Sequence, residues 1–137
     1  MTLPYFRFLR LGIFLLTLAG GSAARATVLI SEIMYHPASE NIAEEFIELY
    51  NPGPTNETLT GWSFGKGVQF TFPAVALGPG NFLVVAADLA TFSAKYPDVT
   101  NVIGNWTGRL SNSHETIELQ DAGGGKRNSV AYADEGD

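Results

Sequence analysis

The chain contains no cysteine, which excludes disulfide bonds, thiolate zinc sites and a cysteine nucleophile. Small exported domains often depend on disulfides, so a domain of this sequence has to be stabilised by its core alone. Helix signals are also scarce. Only residues 89–96, which precede Pro97, predict a helix.

Basic residues are few, and this limits the partners that the surface can attract. After residue 26 the chain carries five Lys or Arg against fourteen Asp or Glu, a net charge of −9. Such a surface repels phosphate backbones, so we expect no binding to nucleic acid. The expected partner is a protein or a cell-surface component whose identity the sequence does not specify.

No apolar run is long enough to cross a membrane. The most apolar segment, residues 11–19, has nine residues, whereas a spanning helix needs about 20. Arginines precede this segment, and small residues lead to A-R-A at 24–26, which is the layout of a secretory signal peptide. We therefore predict a signal peptide over residues 1–26, one domain over residues 27–137, no membrane span after cleavage, and a secreted, extracellular or cell-surface location.

The rest of the chain is dominated by strand signals. Short runs of branched and aromatic residues alternate with turn residues, which favours a β-sandwich. Residues 82–88 are apolar on both faces and predict a central, covered strand. The predicted strands are residues 28–35, 44–51, 58–64, 68–72, 82–88, 102–106, 115–121 and 128–133.

Three glutamates lie in the predicted strand EEFIELYN, where glutamate is unusual. Alternation places Glu45 on the core face, at a strand end that still reaches water. Glu44 and Glu48 share the opposite face with Cα atoms about 13 Å apart. That separation exceeds the roughly 5–9.5 Å of a glycosidase pair, so we predict that these glutamates are not a catalytic pair.

Glu32, on the preceding strand, is the best candidate for a neighbour of Glu48. Two such carboxylates can attract a hard cation such as calcium. The pattern E-x-I-E-L, however, occurs at both 45–49 and 115–119, which favours half-buried strands with solvated outer faces. The sequence therefore predicts no catalytic, metal-binding or cofactor-binding residues, and whether calcium binds near Glu32 and Glu48 stays open.

Other candidate residues also have ordinary interpretations. His36 and His114 lack the spacing of a zinc motif and are expected on the surface. Lys126 is not followed by serine or threonine, so AGGGKR is a hairpin turn rather than a phosphate loop. We predict that Trp62 is a core anchor at the centre of its strand, and Trp106 is the aromatic residue to test for exposure at a carbohydrate-stacking surface.

Six segments together match the pattern of one family in order and spacing. They are SEIMYHP, EEFIELYNPG, LTGWSF, FTFPAVALGPGNFLVVAAD, LSNSHETIELQDAGG and SVAYADEGD. The chain resembles the lamin tail domain in its bacterial exported branch. The resemblance implies an immunoglobulin-like β-sandwich without catalytic residues of its own. In animals the domain is an interaction module of the nuclear lamina, and in bacteria it occurs in exported and surface proteins, often beside nucleases or spore-coat kinase-like modules.

Three hypotheses about function follow. The first is a non-catalytic interaction or adhesion module of an exported bacterial protein. The alternative is an N-terminal accessory domain of a larger exported enzyme, nuclease or spore-coat kinase-like, whose catalytic part lies outside this chain. The acidic residues 133–137 directly follow a predicted strand, so we expect further sequence after them. The third hypothesis, a hydrolase that uses its own carboxylates, requires a close carboxylate pair in a cleft.

Overall fold

The computed structural model describes residues 27–133, so the predicted signal peptide lies outside the described residues. Two main β-sheets pack over one hydrophobic core, which confirms the predicted all-β, immunoglobulin-like sandwich. The elements are β1 (Leu29–Met34), a 3-10 turn (Ile42–Glu44), β2 (Phe46–Tyr50), β3 (Glu57–Thr58), β4 (Ser63–Lys66), β5 (Ala76–Leu77), β6 (Phe82–Ala86), α1 (Leu89–Lys95), β7 (Val102–Gly104), β8 (His114–Gln120) and β9 (Lys126–Ala133).

The first sheet has four strands in the order β1-β2-β6-β7. Its β6 and β7 are parallel and are joined by α1, so the fold contains one βαβ unit. The helix begins where the side chain of Asp88 accepts a hydrogen bond from the Thr91 backbone N–H at 2.7 Å, a typical N-cap. It ends at Lys95, one residue before the end of the predicted helix 89–96. Within residues 27–133, no helix is long and apolar enough to cross a membrane.

The second sheet has the order β4-β8-β9, and a small separate sheet pairs β3 with β5. The predicted strand 58–64 is wrong, because a turn divides it: the Trp62 N–H donates to the Leu59 carbonyl at 2.9 Å. The predicted strand 68–72 is also wrong, since it makes only isolated bridges to Ser63 and Thr107.

The core is built from the inward faces of both sheets. Trp62 is buried with 7% of its surface exposed, which confirms it as a core residue although it lies just before β4. Trp106 is 8% exposed and packs in the same core, so it offers no open stacking surface. The other large core members include Ile47, Leu49, Phe64, Phe72, Leu83, Val85, Ile117 and Leu119.

The first and last strands of the domain lie side by side along one edge of the sandwich. The Ile30 N–H donates to Oδ1 of Asn128 in β9 at 3.0 Å. The ring of Tyr35 stacks on that of Tyr132 with centroids 4.4 Å apart. These contacts close the edge between the two sheets with side chains.

Candidate functional site

The outer face of the four-stranded sheet is covered over only part of its length. Phe92 of α1 packs edge-on against Phe46 of β2, with ring centroids 5.5 Å apart. Val84 and Ala86 of β6 complete this small second core. Helix α1 therefore shields one end of the outer face and leaves the other end open.

The open end forms a shallow groove of about 360 Å³, which we call the outer-sheet groove. Phe82 at its edge is 43% exposed and stacks on Tyr50 with centroids 4.6 Å apart. An exposed stacked aromatic pair on a sheet surface is a feature typical of binding surfaces. The lining includes Glu32, Met34, Glu48, Phe82, Val84 and Tyr96.

Glu32 and Glu48 both line the groove and lie next to each other on neighbouring strands. They are cross-strand partners in the β1–β2 ladder, which confirms the predicted proximity of the two strands at this point. The Ser31 hydroxyl donates to Oε1 of Glu48 at 2.8 Å. Like charges directly opposite one another destabilise a sheet, so this pair is a local cost to the fold.

Glu44 is not part of β2, and the prediction that it shares a strand face with Glu48 is wrong. It lies in the 3-10 turn, where the Asn41 side chain accepts a hydrogen bond from the Ala43 N–H at 3.1 Å. Its carboxylate pairs with Lys95 of α1. The hydrogen bond from Lys95 lowers the pKa of Glu44, and the pair joins the turn to the helix.

Glu45 faces the core as predicted, but it does not reach water. Only 1% of its surface is exposed. Its Oε2 accepts a hydrogen bond from the Leu110 backbone N–H at 2.9 Å, and its Oε1 has no hydrogen-bond partner among residues 27–133. The prediction of a wet strand end fails because the chain around Leu110 closes over it.

Glu115, the equivalent position in the second E-x-I-E-L segment, holds the same part of the chain. Its Oε2 accepts a hydrogen bond from the Ser111 N–H at 3.0 Å. The Tyr132 hydroxyl lies 2.8 Å from the Ser111 carbonyl and 3.2 Å from Glu115 Oε2. We call residues 109–111 the clasp loop, because the carboxylates of Glu45, just before β2, and of Glu115 in β8 bind its backbone.

The clasp loop was not predicted from the sequence. The signal that pointed to it was the repeated E-x-I-E-L pattern, whose first glutamate binds the loop in each copy. Burial raises the pKa of Glu45, the Leu110 hydrogen bond and the Arg109 charge oppose that rise, and the Glu115 charge adds to it. Burial, followed by the Glu115 charge, also raises the pKa of Tyr132.

Replacing Glu45 with glutamine is expected to change how stability depends on pH. The folded carboxyl has a pKa above its ordinary value of 4.5, so between these two values the folded state binds more protons than the unfolded state. The parent protein therefore loses this contribution to stability as pH rises through the folded pKa. Glutamine keeps an acceptor for Leu110 and cannot ionise.

The measurement is urea unfolding of the parent and Glu45→Gln at several pH values. The free energy of unfolding of the variant should rise relative to the parent as pH increases above about 4.5. An unpaired amide N–H adds a cost that does not vary with pH. A difference that stays flat with pH would show that Glu45 ionises equally easily in the folded and unfolded states.

The structure does not build a metal site from the histidines. His36 follows β1 and His114 begins β8, and both are exposed. Within residues 27–133, no three histidine or acidic side chains lie close enough together to hold a metal ion. Glu32 and Glu48 therefore have no third histidine or acidic side chain close enough, within these residues, to complete a metal site with them.

A second hollow of about 610 Å³ adjoins the outer-sheet groove at Phe82. It lies between β5 and β7 and is lined partly by the turn residues Gly78 and Gly80. Among the residues that the structure describes, no charged side chain lines it. The outer-sheet groove differs from this hollow because its lining combines aromatic rings with two carboxylates.

The fold and this surface define a small immunoglobulin-like β-domain with a surface groove. The sequence pattern of the lamin tail domain matches residues 21–134, so the chain belongs to the lamin tail domain family, a family of non-catalytic immunoglobulin-like domains. No curated protein matches the chain.

Proposed function

We propose that this chain is a non-catalytic interaction or adhesion module of an exported bacterial protein. The observation that carries the proposal is the outer-sheet groove, which is lined by the exposed Phe82 together with Glu32 and Glu48. Exposed apolar surface with a polar rim is typical of protein-binding sites. The glutamates that lie away from the groove, Glu45 and Glu115, bind backbone groups of the clasp loop, a structural rather than a chemical role.

Site-specific crosslinking tests this function. A photoreactive phenylalanine analogue replaces Phe82 in the groove, and in a matched control it replaces Ser129, which is exposed on β9 of the other sheet. The labelled proteins are added to intact cells of the organism that encodes the chain. We expect a saturable adduct with a surface component from position 82, which excess unlabelled parent protein abolishes.

Position 129 should give no such adduct. Equal crosslinking from both positions, or an adduct that excess parent protein does not reduce, would contradict a binding role for the groove. Loss of competition when the competitor carries Phe82→Ser would locate the binding energy at the groove itself, because hot spots in interfaces are commonly aromatic.

A further inference from the structure

The two E-x-I-E-L segments place one glutamate each on the outer face of their sheet, and these two glutamates have opposite surroundings. Glu118 lies opposite Lys66 in the ladder of the second sheet. The Nζ of Lys126 is 3.9 Å from its Oε2. Glu48 has Glu32 on one side and Val84 on the other. Glu118 therefore has cationic neighbours, whereas the neighbour of Glu48 on β1 is an anion.

From this contrast we infer that the outer-sheet groove binds a lysine or arginine side chain carried by an extended basic segment of a partner protein. The inference rests on the proposed function and names the partner of the same groove. A bound cation between Glu32 and Glu48 would remove the repulsion that the fold otherwise bears. Charge complementarity of this kind fixes partner choice more than it raises affinity.

The floor of the groove suits the long stem of such a side chain. Met34, Val84 and the ring of Phe82 offer apolar surface next to the carboxylates. Lysine and arginine bury their methylene stems on such surfaces while the charged head stays at the rim. Aromatic faces near the head add a cation–π attraction.

The molecule already uses this combination next to the groove. The Nζ of Lys95 lies 5.8 Å from the centroid of the Tyr96 ring and pairs with the carboxylate of Glu44. A basic side chain from a partner would meet the same two kinds of group, ring and carboxylate, in the open part of the groove.

The size and ligands of the groove favour an organic cation. Its volume of about 360 Å³ is at the low end of the 300–1,000 Å³ typical of ligand pockets, which suits a side chain. Calcium takes about six to eight oxygen ligands, whereas one oxygen of Glu48 already accepts the Ser31 hydroxyl. An ammonium or guanidinium group needs only a few acceptors. The net charge of −9 over residues 27–137 would also speed the approach of a basic partner.

Defined peptides test the inference on the full chain as it is purified from an expression host. Each peptide has blocked termini and alternating threonine and valine, which favours an extended conformation. The peptides differ only at the central residue, which is lysine, arginine, norleucine or glutamate. Binding is followed by NMR chemical shifts of the groove amides, such as those of Glu48, Phe82 and Val84.

We expect the lysine and arginine peptides to bind about tenfold more tightly than the norleucine peptide. Added salt should reduce this advantage, and the glutamate peptide should not bind. Glu48→Gln should abolish the advantage, and Glu32→Gln should reduce it. Glu118→Gln, the matched control from the other E-x-I-E-L segment, should leave the advantage unchanged.

Several results would overturn the inference. Equal binding of the lysine and norleucine peptides would show an apolar groove that does not recognise charge. Calcium that shifts the same amides and displaces the lysine peptide would make the carboxylates a metal site. If no peptide binds, the basic-segment partner is wrong, and the crosslinking from position 82 separately decides whether the groove binds anything. Glu32→Gln and Glu48→Gln each remove a repulsion and should fold at least as stably as the parent.

Discussion

The Trp62→Ala variant is expected to unfold with a free energy about 3–5 kcal/mol lower than that of the parent. Trp62 is 7% exposed and packs in the main core with residues of both sheets. Its backbone N–H closes the turn with Leu59, and its carbonyl accepts a hydrogen bond from the Phe72 N–H at 2.8 Å. Removing the indole leaves a cavity where the sheets meet, and the surrounding strands can relax into it only partly.

Urea unfolding of the parent, Trp62→Ala and Phe82→Ala measures this effect. Phe82 is the matched control, because it is also a large aromatic residue but is 43% exposed, so its loss should cost far less. Trp62→Phe should fall between the parent and Trp62→Ala and gives a value if the alanine variant does not fold. A Trp62→Ala variant with the same free energy of unfolding as the parent would place Trp62 outside the core.

The second large effect is expected at Asn51, where alanine should lower the free energy of unfolding by roughly 2–4 kcal/mol. Asn51 is fully buried. Its Nδ2 donates to the carbonyls of Thr55 and Leu77 at 2.8 Å each, and its Oδ1 accepts from the Gly53 N–H at 2.9 Å. Alanine would leave these backbone groups unpaired, and a buried unpaired group costs more than the lost bond.

Asn51→Asp sharpens this test, since it keeps the acceptor for Gly53 and removes the donor. At neutral pH a buried carboxylate would face two carbonyl oxygens, so the loss should at least equal that of alanine. The variant should regain stability relative to the parent as the pH falls and the carboxyl gains a proton. Asn112→Ala, at an exposed loop position, is the control. If Asn51→Ala has the same free energy of unfolding as this control, the three hydrogen bonds of Asn51 do not stabilise the fold.

Sequence patterns predicted the elements whose start and end signals lie close together in the chain. The helix at 89–95 has its cap at Asp88 and a proline soon after its end, and both signals are visible in the sequence. The apolar run of β6 is covered on its inner face by the core and on its outer face at Val84 and Ala86 by α1, whereas Phe82 stays exposed. The strand predicted at 68–72 failed because alternation reports which side chains are buried, as it did for Val68 and Phe72, and does not report whether the backbone finds a partner strand.

The groove and the clasp loop depend on partners that are distant in sequence. Glu45 accepts its hydrogen bond from Leu110, which is 65 residues away, so no local pattern reveals that Glu45 is buried. That Glu32 and Glu48 lie close to each other was predictable, because consecutive strands commonly pair. That α1 would cover only one end of the outer face was not predictable, since it depends on how the β6–β7 connection lies on the sheet.

The edge where β1 meets β9 has a consequence for the order of folding. The chain is synthesised from its N-terminus, and β8, the central strand of the second sheet, arrives only at residue 114. Until then Ile47 and Leu49 lack the opposing side chains of Ile117 and Leu119. Contacts of such high sequence separation slow folding. A partly synthesised chain therefore exposes open sheet edges until β9 takes its place beside β1.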